Sequence, residues 1–346
     1  MTDTGEPRDP IADLRRIGFL LEIANEPSFR VRAFRNAAAT LARMEPGELE
    51  EHVRKGTLRA LNGIGEVTER TIAESLRGEE PVYLRRLEAT GGRFVAELGA
   101  ELCEALRGDC HVHSEWSDGG SPIREMAESA RELGHEYMVL TDHSPSLTVA
   151  NGLSAERLEL QLTEVATLNE ELAPFRILTG IEVDILSDGS LDQSPELLAR
   201  LDVVVGSVHS ELRMAEGPMT RRMVTALADP NLDILGHCTG RMRTRNRNRP
   251  PSTFDAEIVF AAAARFDKAV EVNSRPERLD PPKRLLRLAV EAGCRFSIDS
   301  DAHAPGQLAW QPYGCDRAAA CGVQIDSVVN ALEADALLAW AATHGA

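Results

Sequence analysis

Along the first ninety residues the apolar positions recur at helical spacing. Ile11, Leu14, Ile17, Leu20 and Leu21 follow Asp9-Pro10, a capping residue and a proline suited to a first helical turn. A second run, from Phe29 to Met44, carries Arg30, Arg32, Arg35 and Arg43 and no acidic residue. From about Arg107 the period changes. Short β-branched or apolar runs at 109–113, 137–141, 177–185, 203–208, 232–236, 269–272 and 296–298 alternate with helical stretches at 121–133, 155–172, 195–201, 219–228, 255–266 and 282–292. Strands separated by helices predict parallel pairing through right-handed crossovers. Polar residues stand at the exit of nearly every strand, which favours a closed α/β barrel over an open sheet. The pattern therefore predicts a helical domain over 10–88, a linker over 89–106 around Gly91-Gly92, and a barrel over 107–346.

Composition narrows the classes. With 346 residues and 43% hydrophobic content, the chain can bury a large core. No stretch approaches the roughly 20 apolar residues of a membrane span, and residues 1–10 are polar. No membrane association and a cytoplasmic location are expected. A net charge of −17 argues against a protein that coats nucleic acid non-specifically, while leaving room for local basic patches. The only lysines are Lys55, Lys268 and Lys283; every other basic residue is arginine. The 6 cysteines form no C-x-x-C pair, so they are expected as reduced core thiols and a zinc ribbon is excluded.

The histidines change the picture more. His111 and His113 end the first strand as H-V-H, ahead of Ser117-Asp118-Gly119; His143 ends the second in T-D-H; Glu182 lies on the third in G-I-E-V-D. His209, His237, Asp301 and His303 follow the fourth, fifth and seventh strands. Taken singly, each histidine reads best as a satisfied core or surface group. Six strand exits offering an imidazole or carboxylate to one rim do not. H-x-H in extended chain points both rings to one side, and mixed imidazole and carboxylate donors suit zinc, manganese or iron. Nine donors are too many for one tetrahedral ion and point to two or three, with Glu182 as bridge. Such clusters activate water and clamp the oxygens of a displacement at phosphorus. His52, His135 and His344 fall outside the pattern.

These motifs, together with S-V-H, L-G-H-C-T-G-R and S-D-A-H, resemble the PHP (polymerase and histidinol phosphatase) family. In particular they are similar to the PHP domain at the C-terminus of bacterial family X DNA polymerases. The resemblance covers about residues 107–340. It implies a distorted (β/α)7 barrel with three divalent metal ions, zinc or manganese or iron. By motif, one ion would take His111, His113, Glu182 and Asp301; a second Glu182, His209 and His237; a third Asp118, His143 and His303. The implied catalytic set is His111, His113, Glu182, His209, His237 and Asp301. Relatives vary around Asp118, which makes it the loosest match.

Beside His237 stand Arg241, Arg243, Arg245, Arg247 and Arg249 with no acid among them, a candidate phosphate-binding strip or else a solvated loop. The sixth strand has no metal ligand at its exit. There Asn273, Arg275 and Arg278 are placed by the resemblance as substrate contacts, though Arg278 and Asp280 could equally pair with each other.

In the helical region, Gly63-Ile64-Gly65 between two apolar-periodic stretches resembles a helix-hairpin-helix whose backbone N–H groups approach a DNA phosphate. With the upstream segment from Pro27 to Ala38, it is similar to the small N-terminal DNA-binding domain of family X polymerases. The alternative is a helical packing module with a glycine turn. Where members with lyase activity carry a Schiff-base lysine, this chain has Thr71, so lyase activity is not expected. Polymerase palm and fingers have no counterpart between the hairpin region and the barrel. The expected function is a metal-dependent phosphoesterase acting on DNA ends, as a 3′–5′ exonuclease or 3′-end cleaner. A small-molecule phosphomonoesterase of histidinol-phosphatase type, and a non-catalytic DNA-binding scaffold, are the alternatives.

Overall fold

Strands covered on both faces need near-continuous apolar runs, and the segments from Tyr137 to Leu140 and Val203 to Ser207 are buried at every position. The structure, a computed structural model, describes residues 8–90, 94–244 and 248–345. It divides into two units between Arg93 and Phe94.

The second unit contains strands β1 (Gly108–Val112), β2 (Tyr137–Leu140), β3 (Arg176–Asp184), β4 (Val203–Ser207) and β5 (Ile234–Leu235). A two-residue antiparallel pair follows, β6 (Met242–Arg243) with β7 (Asn248–Arg249), then β8 (Ala269–Asn273) and β9 (Arg295–Asp299). The seven long-range strands pair in parallel in the order β1-β2-β3-β4-β5-β8-β9. Helices separate them, among them Ile123–Glu132, Ala155–Leu172, Glu216–Leu227, Ala256–Arg265 and Lys283–Glu291. This is a nearly closed α/β barrel, as the alternating pattern predicts. The helices Gln311–Ala319 and Ala334–Ala342 follow the last strand.

Between β9 and β1 no backbone ladder forms beyond one bridge, Val112 with Ala302. Side chains close that seam. The fully buried Asn330 donates to the carbonyls of Gly108 at 3.0 Å and Ile298 at 2.8 Å, and accepts from the Ile298 N–H at 3.0 Å. Gln311 donates to the same two carbonyls. Asp299 accepts from the Cys110 N–H at 2.8 Å, and Asp109 from the Ser300 N–H and hydroxyl. Burial raises Asp109 to about 7 and Asp299 well above its usual range, and the charge of Asp109 adds to the effect on Asp299.

The linker expected over 89–106 is shorter than that. One helix runs Val82–Thr90, and another, Ala100–Ala105, belongs to the barrel unit. Leu102 and Leu106 bury in the barrel core, the Gly99 N–H is bound by Asp316, and Phe94 stacks on Tyr313 at 4.0 Å. The charged composition of the segment masks this one apolar face.

The first unit is helical: Pro10–Ile23, Ser28–Leu41, Glu48–Lys55, Glu66–Leu76 and Val82–Thr90 surround Leu14, Ile17, Leu21, Phe34 and Ile72. Asp9 caps the first helix through the Ile11 N–H. Arg35, from the basic run, is committed to a two-bond pair with Glu22.

Replacing Asn330 with Ala leaves the Ile298 N–H buried and unpaired while Gln311 keeps the two carbonyls partly satisfied. The expected loss is about 2 kcal/mol, read from a chemical denaturation midpoint. A midpoint equal to wild type would show that the seam needs no side-chain closure.

Candidate metal centre

H-V-H in extended backbone sets the rings of His111 and His113 on one side, with centroids 5.1 Å apart. Six more donors arrive at, or just beyond, the C-terminal end of their own strands: His143 after β2, Glu182 within β3, His209 after β4, His237 after β5, Asp301 and His303 after β9; the ninth, Asp118, stands on the loop that follows β1. The structure brings all nine predicted donors together at this rim. Glu182 stands at the middle. Its Oε1 faces His237 Nε2 at 2.8 Å and His209 Nε2 at 3.2 Å. Its Oε2 faces His143 Nδ1 at 2.8 Å, His111 Nε2 at 3.3 Å and His113 Nε2 at 3.6 Å. Asp118 lies between His143 Nε2 at 3.5 Å and His303 Nε2 at 3.4 Å, and it alone of the nine is as much as 36% exposed.

Four overlapping groups of donor atoms each converge within 4.8 Å: His113-Asp118-His143-His303, His111-His113-Asp301, His111-Glu182-His237 and His143-Glu182-His209. Both Glu182 oxygens, and Nε2 of His111, His113, His209 and His237, are buried without a hydrogen-bond partner. Buried lone pairs left unpaired are costly unless a cation takes them. The donor set fits divalent ions.

The charges follow from the crowding. Burial alone would raise Glu182, but His209, His111, His143 and His237 hold it well below the usual carboxylate range. Burial opposes a charge on His209, yet Glu182 and the hydrogen bond to Asp184 outweigh it and raise the ring to about 9. Burial opposes charge on His111 too, and Glu271 with Glu182 raise it well above its ordinary value. Burial comes first in pushing His113 and His237 down, and His303 down to about 3; the Arg278 guanidinium adds to it at His237 and the Arg275 guanidinium at His303.

Sequence reasoning missed the residues that orient these rings. Glu271 on β8 is fully buried; Oε1 bonds His111 Nδ1 at 2.7 Å and Oε2 accepts the His237 backbone N–H. Asp184, two residues after Glu182 on the same face of β3, bonds His209 Nδ1. Such partners leave the opposite ring nitrogen free for a metal. Their signal was a carboxylate at an inward position of an apolar strand. Asp142, beside His143, accepts from the Ser114 N–H and hydroxyl, the Ser117 N–H and the Gln161 amide, fixing the loop that carries Asp118. That loop needs Gly119, where a Cβ would lie 2.6 Å from the Ser114 carbonyl.

Asn273 donates to Asp301 Oδ2 at 3.1 Å, and Arg278 Nε lies 2.9 Å from the same oxygen. Burial would raise Asp301, but Arg278 leads the groups that hold it well below its usual range. Asp301 adopts a positive φ of 54°, strain of the kind that tightly held functional residues carry. Arg278 and Asp280, an alternative pair in the sequence, are not paired: Asp280 binds Thr239 instead. Of the arginine strip, Arg241 and Arg249 spend donors on backbone carbonyls, Arg243 is exposed, and Arg245 and Arg247 lie outside the described residues.

In the helical unit Gly63 has φ 82°, and a Cβ there would sit 3.3 Å from Asn36 Cβ. Ile64 is 7% exposed and belongs to the helical core, so its side chain is not a DNA contact; Gly63 and Gly65 leave only backbone to offer. Thr71 is buried and back-bonded to the Val67 carbonyl.

A family model described as "PHP domain" matches residues 109–275, and one described as "Helix-hairpin-helix domain" matches residues 7–80. A DNA polymerase/3′-5′ exonuclease of Bacillus subtilis (strain 168) is 44% identical over 198 residues, covering 57% of this chain and 34% of that protein. This chain thus matches about a third of that relative's length. A probable phosphatase of Thermoanaerobacter sp. (strain X514) is 28% identical over 206 residues, covering 56% of this chain and 78% of that protein. A crystal structure of histidinol phosphate phosphatase from Lactococcus lactis aligns with 63% of this chain and 94% of its own at 20% identity and a TM-score of 0.45.

Two outcomes follow from the site. A cation must displace the proton that His209 holds below about pH 9. Metal uptake near pH 7.5 should therefore release about one proton or more per chain, and affinity should fall as the pH drops. Calorimetry in buffers of different ionisation heat measures this; proton-neutral uptake would contradict the assignment. Glu271→Gln should weaken metal affinity by about tenfold to a hundredfold while the chain stays folded. Unchanged affinity would remove Glu271 from the site.

Proposed function

We propose that this chain, which joins a helix-hairpin-helix domain to a PHP domain, is a metal-dependent phosphoesterase acting on DNA ends, as a 3′–5′ exonuclease or a cleaner of blocked 3′ termini. The observation that carries the reading is the meeting, at one rim, of the Glu182-centred donors with the buried guanidinium of Arg278.

Three divalent ions, zinc or manganese by donor type, would be held by His111, His113, Glu182 and Asp301, by Glu182, His209 and His237, and by Asp118, His143 and His303. Bound there, they would supply Lewis-acid charge and lower the pKa of water. The chain's own groups do the rest. Arg278 is 8% exposed, and its Nη1 is buried without a hydrogen-bond partner, suited to a phosphate oxygen. Arg275, 3.3 Å from His303 Nδ1, adds a second cation on that side. Exposed Asp118 marks the side from which a substrate enters. Glu271 and Asp184 hold the imidazoles in one tautomer, so little reorganisation accompanies binding.

DNA is favoured by the helix-hairpin-helix unit and by the Bacillus relative, a DNA polymerase/3′-5′ exonuclease. A second reading, a small-molecule phosphomonoesterase, is favoured by the commitment of Arg241 and Arg249 to backbone carbonyls, which shortens the cationic strip a polymer would use. The Thermoanaerobacter relative is itself a probable phosphatase. A purely structural role for the metals fits poorly, because the exposed Asp118 leaves the site open on one side.

Manganese-supplemented protein, assayed side by side on 3′-labelled DNA and p-nitrophenyl phosphate, tests both readings. Glu182→Gln should lower either activity by more than about a hundredfold. Removing residues 1–93 should weaken DNA binding and flatten its salt dependence while sparing the small ester. DNA left intact by a protein that turns over monoesters efficiently would falsify the nuclease reading and install the phosphatase.

A further inference from the structure

We propose that Arg241 is a positioning residue that acts through Arg278: it braces the segment 275–280 so that the Arg278 guanidinium meets both Asp301 and the substrate phosphate. The inference rests on the reading of Arg278 as a phosphate ligand and adds to it.

Arg241 leaves the rim four residues after His237, where a direct phosphate contact would be the simple expectation. Its side chain does something else. Nε donates to the Arg278 carbonyl at 2.6 Å, and Nη2 donates to the Leu279 carbonyl. The Arg241 backbone N–H points at Asp280 Oδ2 at 3.3 Å, and that same oxygen accepts from the Thr239 hydroxyl at 2.6 Å. Asp280 is fully buried and also accepts from the Thr239 N–H at 3.2 Å. The loop after β5 and the loop after β8 are thus locked by one guanidinium fork and one carboxylate.

The segment needs such a lock. Leu279 has φ 44°, a conformation that persists for a leucine only when its surroundings over-determine it. The N–H groups of Arg278 and Leu279 both turn back onto the Arg275 carbonyl, which leaves the Arg278 and Leu279 carbonyls facing Arg241. Two adjacent carbonyls call for a planar fork, and a lysine ammonium cannot span them in the same geometry. At the other end of this arrangement, Arg278 Nε lies 2.9 Å from Asp301 Oδ2 and its Nη1 remains unpartnered. A shift of about an ångström in the carbonyl of residue 278 would move that guanidinium off both targets.

The test is a double-mutant cycle on the full, manganese-loaded chain: Arg241→Ala, Arg241→Lys, Arg278→Ala and the Arg241→Ala/Arg278→Ala pair. It is read as kcat and KM for p-nitrophenyl phosphate and as the calorimetric Kd for inorganic phosphate. Arg278→Ala should weaken phosphate binding by about tenfold, and Arg241→Ala by nearly as much. Arg241→Lys should give no rescue, and the pair should be no worse than Arg278→Ala alone. A cooperative thermal transition in each variant guards against misfolding, and Arg241→Lys serves if the alanine variant does not fold. Rescue by lysine, or losses that multiply in the pair, would mean that Arg241 touches phosphate itself and would overturn the proposal. So would an Arg278→Ala variant with wild-type phosphate affinity. If the wild-type chain hydrolyses neither DNA nor monoesters, the phosphoesterase reading fails, while the phosphate-binding cycle still decides what Arg241 does.

Discussion

A carboxylate with 1% of its side chain exposed, surrounded by five imidazoles, is an arrangement that a folded protein keeps only under strict conditions. An ionised group taken out of water needs partners of opposite charge, and Glu182 has no hydrogen-bond donor on either oxygen. The raised imidazoles of His209 and His111 serve as those partners, and bound cations would take over that role. Around this point the rest of the rim is arranged. Asp184 and Glu271 sit one layer further out and turn His209 and His111, so the acid at the centre is matched by acids behind the rings.

The same constraint explains why the weak seam of the barrel is sealed so carefully. β1 carries His111, and the loop after β9 carries Asp301, yet these two strands share hardly any ladder. If they slid apart, donors from opposite sides of the seam would separate. Asn330, Gln311 and the pair Asp109 and Asp299 supply the missing bonds from side chains, at full burial, where a hydrogen bond is hard to exchange for water. The geometry of the site and the closure of the barrel therefore depend on the same few polar groups.

The arginines show how residue type and role come apart. A chain with almost no lysine presents guanidiniums everywhere, and several that look available in sequence are committed elsewhere: Arg35 to Glu22, Arg241 to the Arg278 and Leu279 carbonyls, Arg249 to the Gly240 carbonyl. Arg278 is the exception that matters, buried beside Asp301 with donor capacity left over. Positive charge in this protein is placed by bracing loops as much as by facing ligands.

By itself the sequence determined the helical first region, seven buried strands, their parallel pairing and the gathering of nine imidazole and carboxylate side chains at one rim. Those features follow from periodicity and from residue types that make sense in few other places. It did not determine that Ala100–Ala105 joins the barrel, that Ile64 is core, that Glu271 holds His111, or that Arg241 braces Arg278. The physical reason is the same in each case. A periodic pattern reports which face of an element is buried, whereas the partner met by a polar side chain depends on strand register and on the path of loops distant in the chain. Glu271 lies 160 residues from His111, and only the closed barrel brings the two together.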